Sequence, residues 1–174
     1  MTKREAPTIL NKRKCYLESP VGVLEIAEDG EGICGLSFCS MENCGLSGQE
    51  DETPMEETQL LTEAKKQMQE YFAGKRKKFD LPLSLQGTEF QKQDWQALLQ
   101  IPYGETRSYG EIARAIGCPK GSRAVGMANR NNPIAIIIPC HRVIGTDGSL
   151  TGYGGGIQNK IALLAHEGSY VQKR

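Results

Sequence analysis

Several features that would assign this chain to a membrane or secreted class are missing from its sequence. No apolar run approaches the roughly 20 residues that a helix needs to cross a bilayer. The N-terminal stretch MTKREAPTILNKRK has no apolar core of the kind that a secretory signal peptide carries. We therefore expect an intracellular protein without membrane association. The sequence does not choose between the nucleus and the cytoplasm or nucleoid.

The usual patterns of metal and nucleotide sites are also missing. Cys34, Cys39 and Cys44 follow one another at intervals of five without a CxxC pair. The chain has two histidines, His141 and His166, and both are far from these cysteines. The glycine-rich segment GTDGSLTGYGGG fits neither the dinucleotide nor the phosphate-loop pattern and is typical of a loop over a site. We predict no metal and no cofactor, and we expect the six cysteines to be free thiols.

The zero net charge of the chain conceals an uneven distribution. From Thr88 onward there are ten Lys or Arg and six Asp or Glu, whereas the residues before it carry eleven bases and fifteen acids. Between Thr106 and Ile144 six basic residues accompany a single acid, Glu111. Such a basic segment is compatible with a polyanionic partner, although a solvated surface is the commoner explanation of any one charge.

The first half of the chain is typical of a small α/β unit. The stretch KCYLESPVGVLEIAEDGEGICGLSF alternates apolar residues with SP and DG turn signals, as antiparallel strands do. Thr58 is placed to cap a helix that Gly74 ends. We place a boundary in the basic connector KRKKFDLPLSLQG and predict domains over residues 1–85 and 86–174.

The second half is predicted to be helical up to an apolar run. After a first helix in TEFQKQDWQALLQI, Ser108 and Glu111 have the spacing of a capping box and Gly117 stands where a left-handed cap is needed. A further helix is expected over about residues 122–131, SRAVGMANRN, before Pro133. Two short helices joined by a glycine-containing turn indicate a helix-turn-helix, although plain core packing produces the same pattern.

The helix SRAVGMANRN has an unusual composition for a core element. Ala124, Gly126 and Ala128 are small, and Arg123 and Arg130 stand among them. A narrow, basic helix of this kind suits close approach to a nucleic-acid groove, and tight helix packing is the alternative.

The stretch IIIPCHRVIG ends an apolar run, which we predict to be a buried strand, on Cys140. An ordinary thiol has a pKa of about 8.5, so a nucleophilic cysteine needs a base, a cation or a dipole. His141 is adjacent, but neighbouring side chains of an extended chain point apart unless the chain turns sharply after Pro139. We therefore expect a bridging water and an orienting carboxylate. An inert buried thiol is the alternative, yet His141 and Arg142 are expensive to bury without a purpose.

A cysteine hydrolase is a weaker interpretation of Cys140. Such enzymes usually draw their base from a distant segment. The other histidine, His166, stands near a predicted helix end, where the helix dipole explains it.

With RAVGMANRNNPIAIIIPCHRVIG and LLAHEG, the sequence resembles the O6-alkylguanine-DNA alkyltransferases from about Ile101 to Gly168. The resemblance implies a ribonuclease-H-like α/β domain followed by a mainly helical, winged-helix-like domain with a helix-turn-helix. It also implies a monomeric suicide repair enzyme, a methylated-DNA-protein-cysteine S-methyltransferase without cofactor. Such a protein flips O6-alkylguanine, or O4-alkylthymine, out of duplex DNA and irreversibly moves the alkyl group to its own cysteine.

The same resemblance assigns roles to individual residues of the reaction. Cys140 matches the alkyl acceptor, and a network from Glu167 through His141 and a water would supply its base. Asn132 matches the asparagine that braces the link between the helix SRAVGMANRN and the active-site strand. Tyr109 matches the tyrosine that hydrogen-bonds the flipped base and crowds the 3′ phosphate.

The resemblance also assigns a DNA-binding helix and a base pocket. Arg123 matches the arginine that replaces the extruded base in the stack. The small residues Ala124 and Gly126, with Ser122, would let the helix approach the minor groove. The backbone carbonyls of Cys140 and Val143 would accept from the guanine amine, while Tyr153 and the Gly154 amide would approach the base oxygen.

Two questions follow from the resemblance. Some relatives carry serine where this chain has Gly154, which leaves the preferred alkyl size open. The alternative function is an alkyltransferase-like protein that recognises alkylguanine without repairing it. Those relatives lack the acceptor cysteine, so the presence of Cys140 favours transfer.

Overall fold

A computed structural model describes residues 12–39, 54–150 and 152–170 of the chain. Its N-terminal part is an antiparallel sheet of three strands in the order β1-β2-β3, followed by one helix. The α/β unit predicted for this half is confirmed. Its elements are β1 (Arg13–Ser19), β2 (Gly22–Glu28), β3 (Ile33–Phe38) and α1 (Gln59–Phe72).

Helix α1 covers the sheet with a continuous apolar face. Leu61, Met68 and Tyr71 are fully buried on it, facing Leu24 and Ile26 of β2, which are also fully buried. A half-covered sheet alternates apolar and polar residues, and this alternation places every second residue of β2 in the core.

The predicted ends of α1 are confirmed. The Thr58 hydroxyl accepts from the Leu61 amide and so satisfies one of the free N–H groups of the first turn. Gly74 follows the last turn at a φ of +75°, a conformation that glycine adopts without a side-chain penalty.

The C-terminal part contains four α-helices, two very short strands and one 3-10 helix. The short strands β4 and β5 pair in parallel. Together the two parts form the fold predicted, a small sheet with a helix followed by a mainly helical region. The C-terminal elements are α2 (Glu89–Leu99), β4 (Arg107–Ser108), α3 (Tyr109–Ala115), α4 (Ser122–Arg130), the 3-10 helix (Cys140–Arg142), β5 (Val143–Ile144) and α5 (Ile157–His166).

The helix-turn-helix pattern corresponds to α3 and α4. Ser108 and Glu111 form the predicted capping box, with each side chain bonded to the other residue's backbone N–H. Gly117 has a φ of +77°, as its place after α3 requires. Helix α4 ends at Arg130, with Asn131 as its C-cap, one residue before the predicted end.

The buried strand predicted before Cys140 is wrong. Residues 134–138 meet the sheet through a single bridge between Leu36 and Ile134 and then turn, with the Ile138 amide donating to the Ile134 carbonyl at 3.0 Å. Ile136 has a φ of +70°, which is rare for a β-branched residue. A buried apolar run predicts a strand because burial and branching are all that the sequence shows. In the structure Cys140 therefore lies on a turn and not at the end of a strand.

The cysteines depart in one place from the prediction of free thiols. Cys15, Cys34, Cys118 and Cys140 are free, whereas Cys39 is disulfide-bonded. The prediction of a free thiol at Cys44 concerns a residue outside the described ranges. None of the described helices is long and apolar enough to pass through a membrane.

Two contacts fix α4 against α2. The indole N–H of Trp95 donates to the Ala128 carbonyl at 2.9 Å. With its nitrogen facing Asp94, the Asn129 amide donates to the two carboxylate oxygens at 2.6 and 3.3 Å.

Asp94 is fully buried, and burial raises its pKa to about 7. The sequence reading missed this carboxylate, which lies on the buried side of α2.

Replacing Asp94 by asparagine is expected to raise the free energy of unfolding at about pH 8 by about 1–3 kcal/mol and to change it little at about pH 5. The folded protein keeps a proton on Asp94 up to about pH 7, whereas the unfolded chain releases it near about pH 4. The group's stabilisation is therefore complete below about pH 4 and declines as the pH rises through about 7. Denaturant titrations at both pH values test this.

The control for this experiment is Glu89→Gln, an exposed acid in the first turn of the same helix. Its effect should stay within about 1 kcal/mol at both pH values. An Asp94→Asn variant whose difference from wild type does not change with pH would show that Asp94 is ionised throughout.

Candidate active site and nucleic-acid interface

Cys140 lies on a tight turn that begins at Pro139. The Arg142 amide donates to the Pro139 carbonyl at 3.0 Å, which closes the 3-10 helix of Cys140, His141 and Arg142. All three side chains are buried. The sharp turn after Pro139, which the sequence reading left as a condition for bringing the thiol and imidazole together, is present. Among the described residues, no direct hydrogen bond joins these two side chains.

Asn132 holds the Cys140 thiol from the end of α4. Its amide nitrogen donates to Cys140 Sγ at 3.1 Å and to the Ile138 carbonyl at 2.8 Å, while its oxygen accepts from the Ile134 amide at 2.9 Å. Burial raises the pKa of Cys140 to about 11, although the Asn132 hydrogen bond and the positive charge of Lys160 oppose this rise. The resting group is therefore a protonated thiol, and it needs a base.

His141 is placed to act as that base. Its Nε2 lies 2.9 Å from Glu167 Oε2, and its Nδ1 is buried without a hydrogen-bond partner among the described residues. Burial lowers the pKa of His141 and outweighs the opposing effect of Glu167. A neutral imidazole that donates from Nε2 to the carboxylate keeps a lone pair on Nδ1, which is the acceptor that a proton from Cys140 requires.

Glu167 is a buried carboxylate that stays ionised. Burial by itself would raise its pKa, but hydrogen bonds from His141 and Arg142 hold the pKa well below its usual range. Arg142 donates through Nε to Oε1 at 2.7 Å and through Nη2 to Oε2 at 3.0 Å, and its Nη1 reaches the Ile101 carbonyl at 2.7 Å. This forked pair fixes the direction of the carboxylate towards His141.

The sequence reading missed two partners of the site. Tyr71 of α1 donates its hydroxyl to Glu167 Oε2 at 2.6 Å. Lys160 of α5 is fully buried and donates to the Val143 carbonyl at 2.6 Å, with its ammonium 5.9 Å from the centre of the Tyr109 ring. A signal for Lys160 existed, because it precedes two buried leucines by three and four residues and so lies on the apolar face of α5.

A cavity of about 280 Å³ leads to the thiol. The Tyr153 hydroxyl is buried there without a hydrogen-bond partner among the described residues. A Cβ atom at Gly154 would lie 3.6 Å from the Arg130 carbonyl oxygen, an ordinary contact, so the backbone leaves room for a side chain at this position. The cavity brings Cys140 together with the predicted pocket residues Tyr153 and Gly154, and its lining includes Phe38, Asn129 and Asn132.

A second cavity, of about 360 Å³, lies along the exposed side of α4. Of the predicted DNA-binding residues, four line it, and Ala124 is exposed on the same helix. Arg123 and Arg130 are the charged residues of its lining, so an anionic partner would meet positive charge there. The complete lining is Tyr109, Ser122, Arg123, Gly126, Met127, Arg130 and Gly152.

Arg130 lines both cavities. The cavity at Cys140 and the basic surface of α4 therefore lie beside the same arginine. The Val143 carbonyl, predicted to accept from a guanine amine, already accepts from Lys160 and keeps one lone pair for a second donor.

Family models match both parts of the chain. The ribonuclease-like domain of the 6-O-methylguanine DNA methyltransferases matches residues 12–85, and their DNA binding domain matches residues 89–169. This chain belongs to the 6-O-methylguanine DNA methyltransferase family. The resemblance seen in the motifs around Cys140 is thereby confirmed.

Curated members of the 6-O-methylguanine DNA methyltransferase family are similar along most of their length. A methylated-DNA–protein-cysteine methyltransferase of Methanosarcina acetivorans is 52% identical over 156 residues, covering 87% of this chain and 96% of that protein. A constitutive one of Bacillus subtilis is 52% identical over 138 residues, covering 79% of this chain and 84% of that protein.

Solved structures of the family share the fold. The O6-methylguanine methyltransferase of Mycobacterium tuberculosis matches with a TM-score of 0.78 and 46% identity, covering 94% of this chain and 96% of that chain. A crystal structure of Mycobacterium tuberculosis OGT in complex with DNA matches with a TM-score of 0.78 and 49% identity, covering 91% and 92%.

Proposed function

We propose that this protein repairs duplex DNA by moving the alkyl group of O6-alkylguanine to Cys140, once per molecule. One observation carries the proposal: the thiol lies at a cavity that shares Arg130 with the basic surface of α4, and His141 with Glu167 lies behind the thiol. The family membership supports the same reaction. O4-alkylthymine is a second substrate of the same chemical type.

The reaction balances as a single displacement. The Cys140 proton passes to Nδ1 of His141, through a water where the two atoms do not touch, and the thiolate attacks the alkyl carbon. The new sulfur–carbon bond replaces the bond between that carbon and O6 of guanine. The proton finally resides on the released guanine, so no oxidant, metal or cofactor takes part in the balance.

Stabilisation of the leaving guanine is assigned to polar groups around the cavity. Tyr109 hydrogen-bonds the base, and Tyr153 with the Gly154 amide approaches O6, where negative charge develops as the bond to carbon breaks. The carbonyls of Cys140 and Val143 accept from the exocyclic amine. These two hydrogen bonds are available to guanine and not to thymine, which carries no exocyclic amine.

Extrusion of the base is assigned to α4. Removing a base from the stack requires a few kcal/mol, less for a weakened alkylguanine pair, and the Arg123 side chain takes the vacated place. The small residues Ala124 and Gly126, with Ser122, let the helix approach the minor groove. Most contacts would be to phosphates, so affinity should fall with salt and depend little on sequence.

Three further inferences belong to this proposal. We infer a monomer, an intracellular location, and a division of the chain into domains 1–85 and 86–174.

The test is the mass of the protein after incubation with excess duplex oligonucleotide containing one O6-methylguanine. We expect a gain of one methyl group per molecule, located by peptide mass at Cys140. The Cys140→Ser variant should gain nothing, and Cys34→Ser, which removes another free thiol, should react like wild type. Tight binding of the modified duplex without any mass change would contradict transfer and indicate the recognition-only alternative.

A further inference from the structure

Tyr71 connects the N-terminal part of the chain to the proton network of Cys140. It lies on α1, is fully buried, and donates its hydroxyl to Glu167 Oε2 at 2.6 Å. Glu167 Oε2 is also the atom that His141 Nε2 contacts at 2.9 Å. The hydroxyl and the imidazole therefore share one carboxylate oxygen, although they come from different parts of the chain.

The Tyr71 hydroxyl acts only as a donor in this position. Burial is the main reason that its pKa lies far above the ordinary value for tyrosine, and the negative charge of Glu167 raises the pKa further. It remains protonated at any pH at which the protein works, so the hydrogen bond to the carboxylate is permanent. Such a bond draws negative charge away from Oε2.

Arg142 holds the same carboxylate independently of Tyr71. Its Nε and Nη2 donate to the two oxygens at 2.7 and 3.0 Å. The direction of Glu167 therefore does not depend on the tyrosine. What Tyr71 adds is control over the charge that the His141 imidazole experiences.

The charged and titratable groups around His141 come from the 3-10 helix, from α5 with its C-cap Glu167, and from α1. Glu167 favours the imidazolium, whereas Arg142 on the same turn and Lys160 from α5 oppose it. Cys140, the neighbouring titratable group, is a protonated thiol at rest. Tyr71, from α1, acts on Glu167, the one group in this set that favours the protonated imidazole.

We propose that Tyr71 is a positioning residue of the transfer reaction, whose hydroxyl moderates the charge of Glu167 and so keeps His141 neutral and able to accept the Cys140 proton. This inference rests on the proposed function. It makes the packing of α1 against the C-terminal part a condition for full reactivity.

The ring of Tyr71 is held without its hydroxyl. It packs against Phe72, Phe79 and His166 at centroid distances of 5.0, 5.5 and 4.9 Å, and its backbone carbonyl faces His166 Nε2 at 2.8 Å. Tyr71→Phe keeps these contacts and removes only the oxygen. The matched control is Tyr103→Phe, because the Tyr103 hydroxyl donates at 3.3 Å to the His166 carbonyl, beside the same ring.

The first measurement is a titration of the two histidines by NMR, which the small number of histidines makes easy to assign. In Tyr71→Phe the midpoint of His141 should move up by about half a pH unit or more, because the carboxylate regains charge. Tyr103→Phe should leave that midpoint unchanged. A folded Tyr71→Phe protein with an unmoved His141 midpoint would overturn the inference.

The second measurement is the rate of transfer from free O6-benzylguanine between about pH 4.5 and 9, a range that extends below the ordinary pKa of histidine. Tyr71→Phe should be about threefold slower or more on the acid side and approach wild type on the alkaline side. A uniformly slower rate at every pH would show a merely structural role and overturn the inference. If wild type itself transfers nothing, the proposed function fails together with this role; wild-type transfer with unchanged Tyr71→Phe behaviour overturns this role alone.

Discussion

Replacing Glu167 by glutamine is expected to lower the free energy of unfolding by about 3–5 kcal/mol. In the folded protein the carboxylate accepts from Arg142, His141 and Tyr71, and all of these groups are buried. A glutamine amide has one acceptor oxygen, and its nitrogen would face a donor in either orientation. The Arg142 charge would therefore remain buried without a counter-charge.

The same variant should lose part of the acid sensitivity of the wild type. The pKa of Glu167 is lower in the folded than in the unfolded chain, so its stabilisation is complete above about pH 5 and is lost as the pH falls towards the folded-state pKa. Denaturant titrations from about pH 3 to 8 measure both effects. The difference between wild type and variant should shrink as the pH falls.

Glu167→Gln should also slow alkyl transfer, on the order of 100-fold, with little change in DNA affinity. The imidazole of His141 loses the acceptor that sets its tautomer, so its Nδ1 is no longer kept as a base. The control is Glu105→Gln, because Glu105 pairs with Arg107 at the exposed surface and should change stability by less than about 1 kcal/mol. A variant that loses DNA binding but keeps its transfer rate would refute the proton network.

Replacing Arg123 by alanine is expected to slow transfer from duplex DNA on the order of 100-fold while leaving the reaction with free O6-benzylguanine nearly unchanged. Only the duplex requires a base to leave the stack, and that requirement amounts to a few kcal/mol. Arg123 is exposed on α4 and lines the cavity there, which shares Arg130 with the cavity at Cys140. Single-turnover rates with the two substrates measure the ratio.

A generic loss of positive charge must be separated from a role in extrusion. Lys120→Ala removes one exposed base just before α4. It should lower DNA affinity and the salt dependence of binding without changing the ratio of duplex to free-base rates. Equal losses on both substrates in Arg123→Ala would reject the assignment of Arg123.

Local features of the fold were predictable because few neighbouring residues decide them. Thr58, the pair Ser108 and Glu111, and Gly117 have the predicted roles, since a cap or a left-handed turn depends on one side chain and the nearest backbone groups. The apolar run before Cys140 was misread because a buried turn and a buried strand have the same composition.

The chemistry of the site was predictable only in part. The order of Pro139, Cys140, His141 and Arg142 indicated a reactive thiol, and the resemblance identified Glu167. Geometry showed that Arg142 pairs with this carboxylate, whereas the sequence had marked it only as a residue expensive to bury. The roles of the individual residues in transfer remain predictions for the experiments above.

The sequence was sufficient to predict the family and the two-part fold and to single out Cys140 with its adjacent imidazole, because short motifs of neighbouring residues carry these signals. Tertiary structure alone decided what surrounds Glu167. Tyr71 reaches it from 96 residues away, and its contact depends on how α1 packs against the rest of the molecule. Lys160 is likewise buried against Val143 by the docking of α5. Burial in turn sets the pKa of Cys140, because removing water raises the free energy of the thiolate.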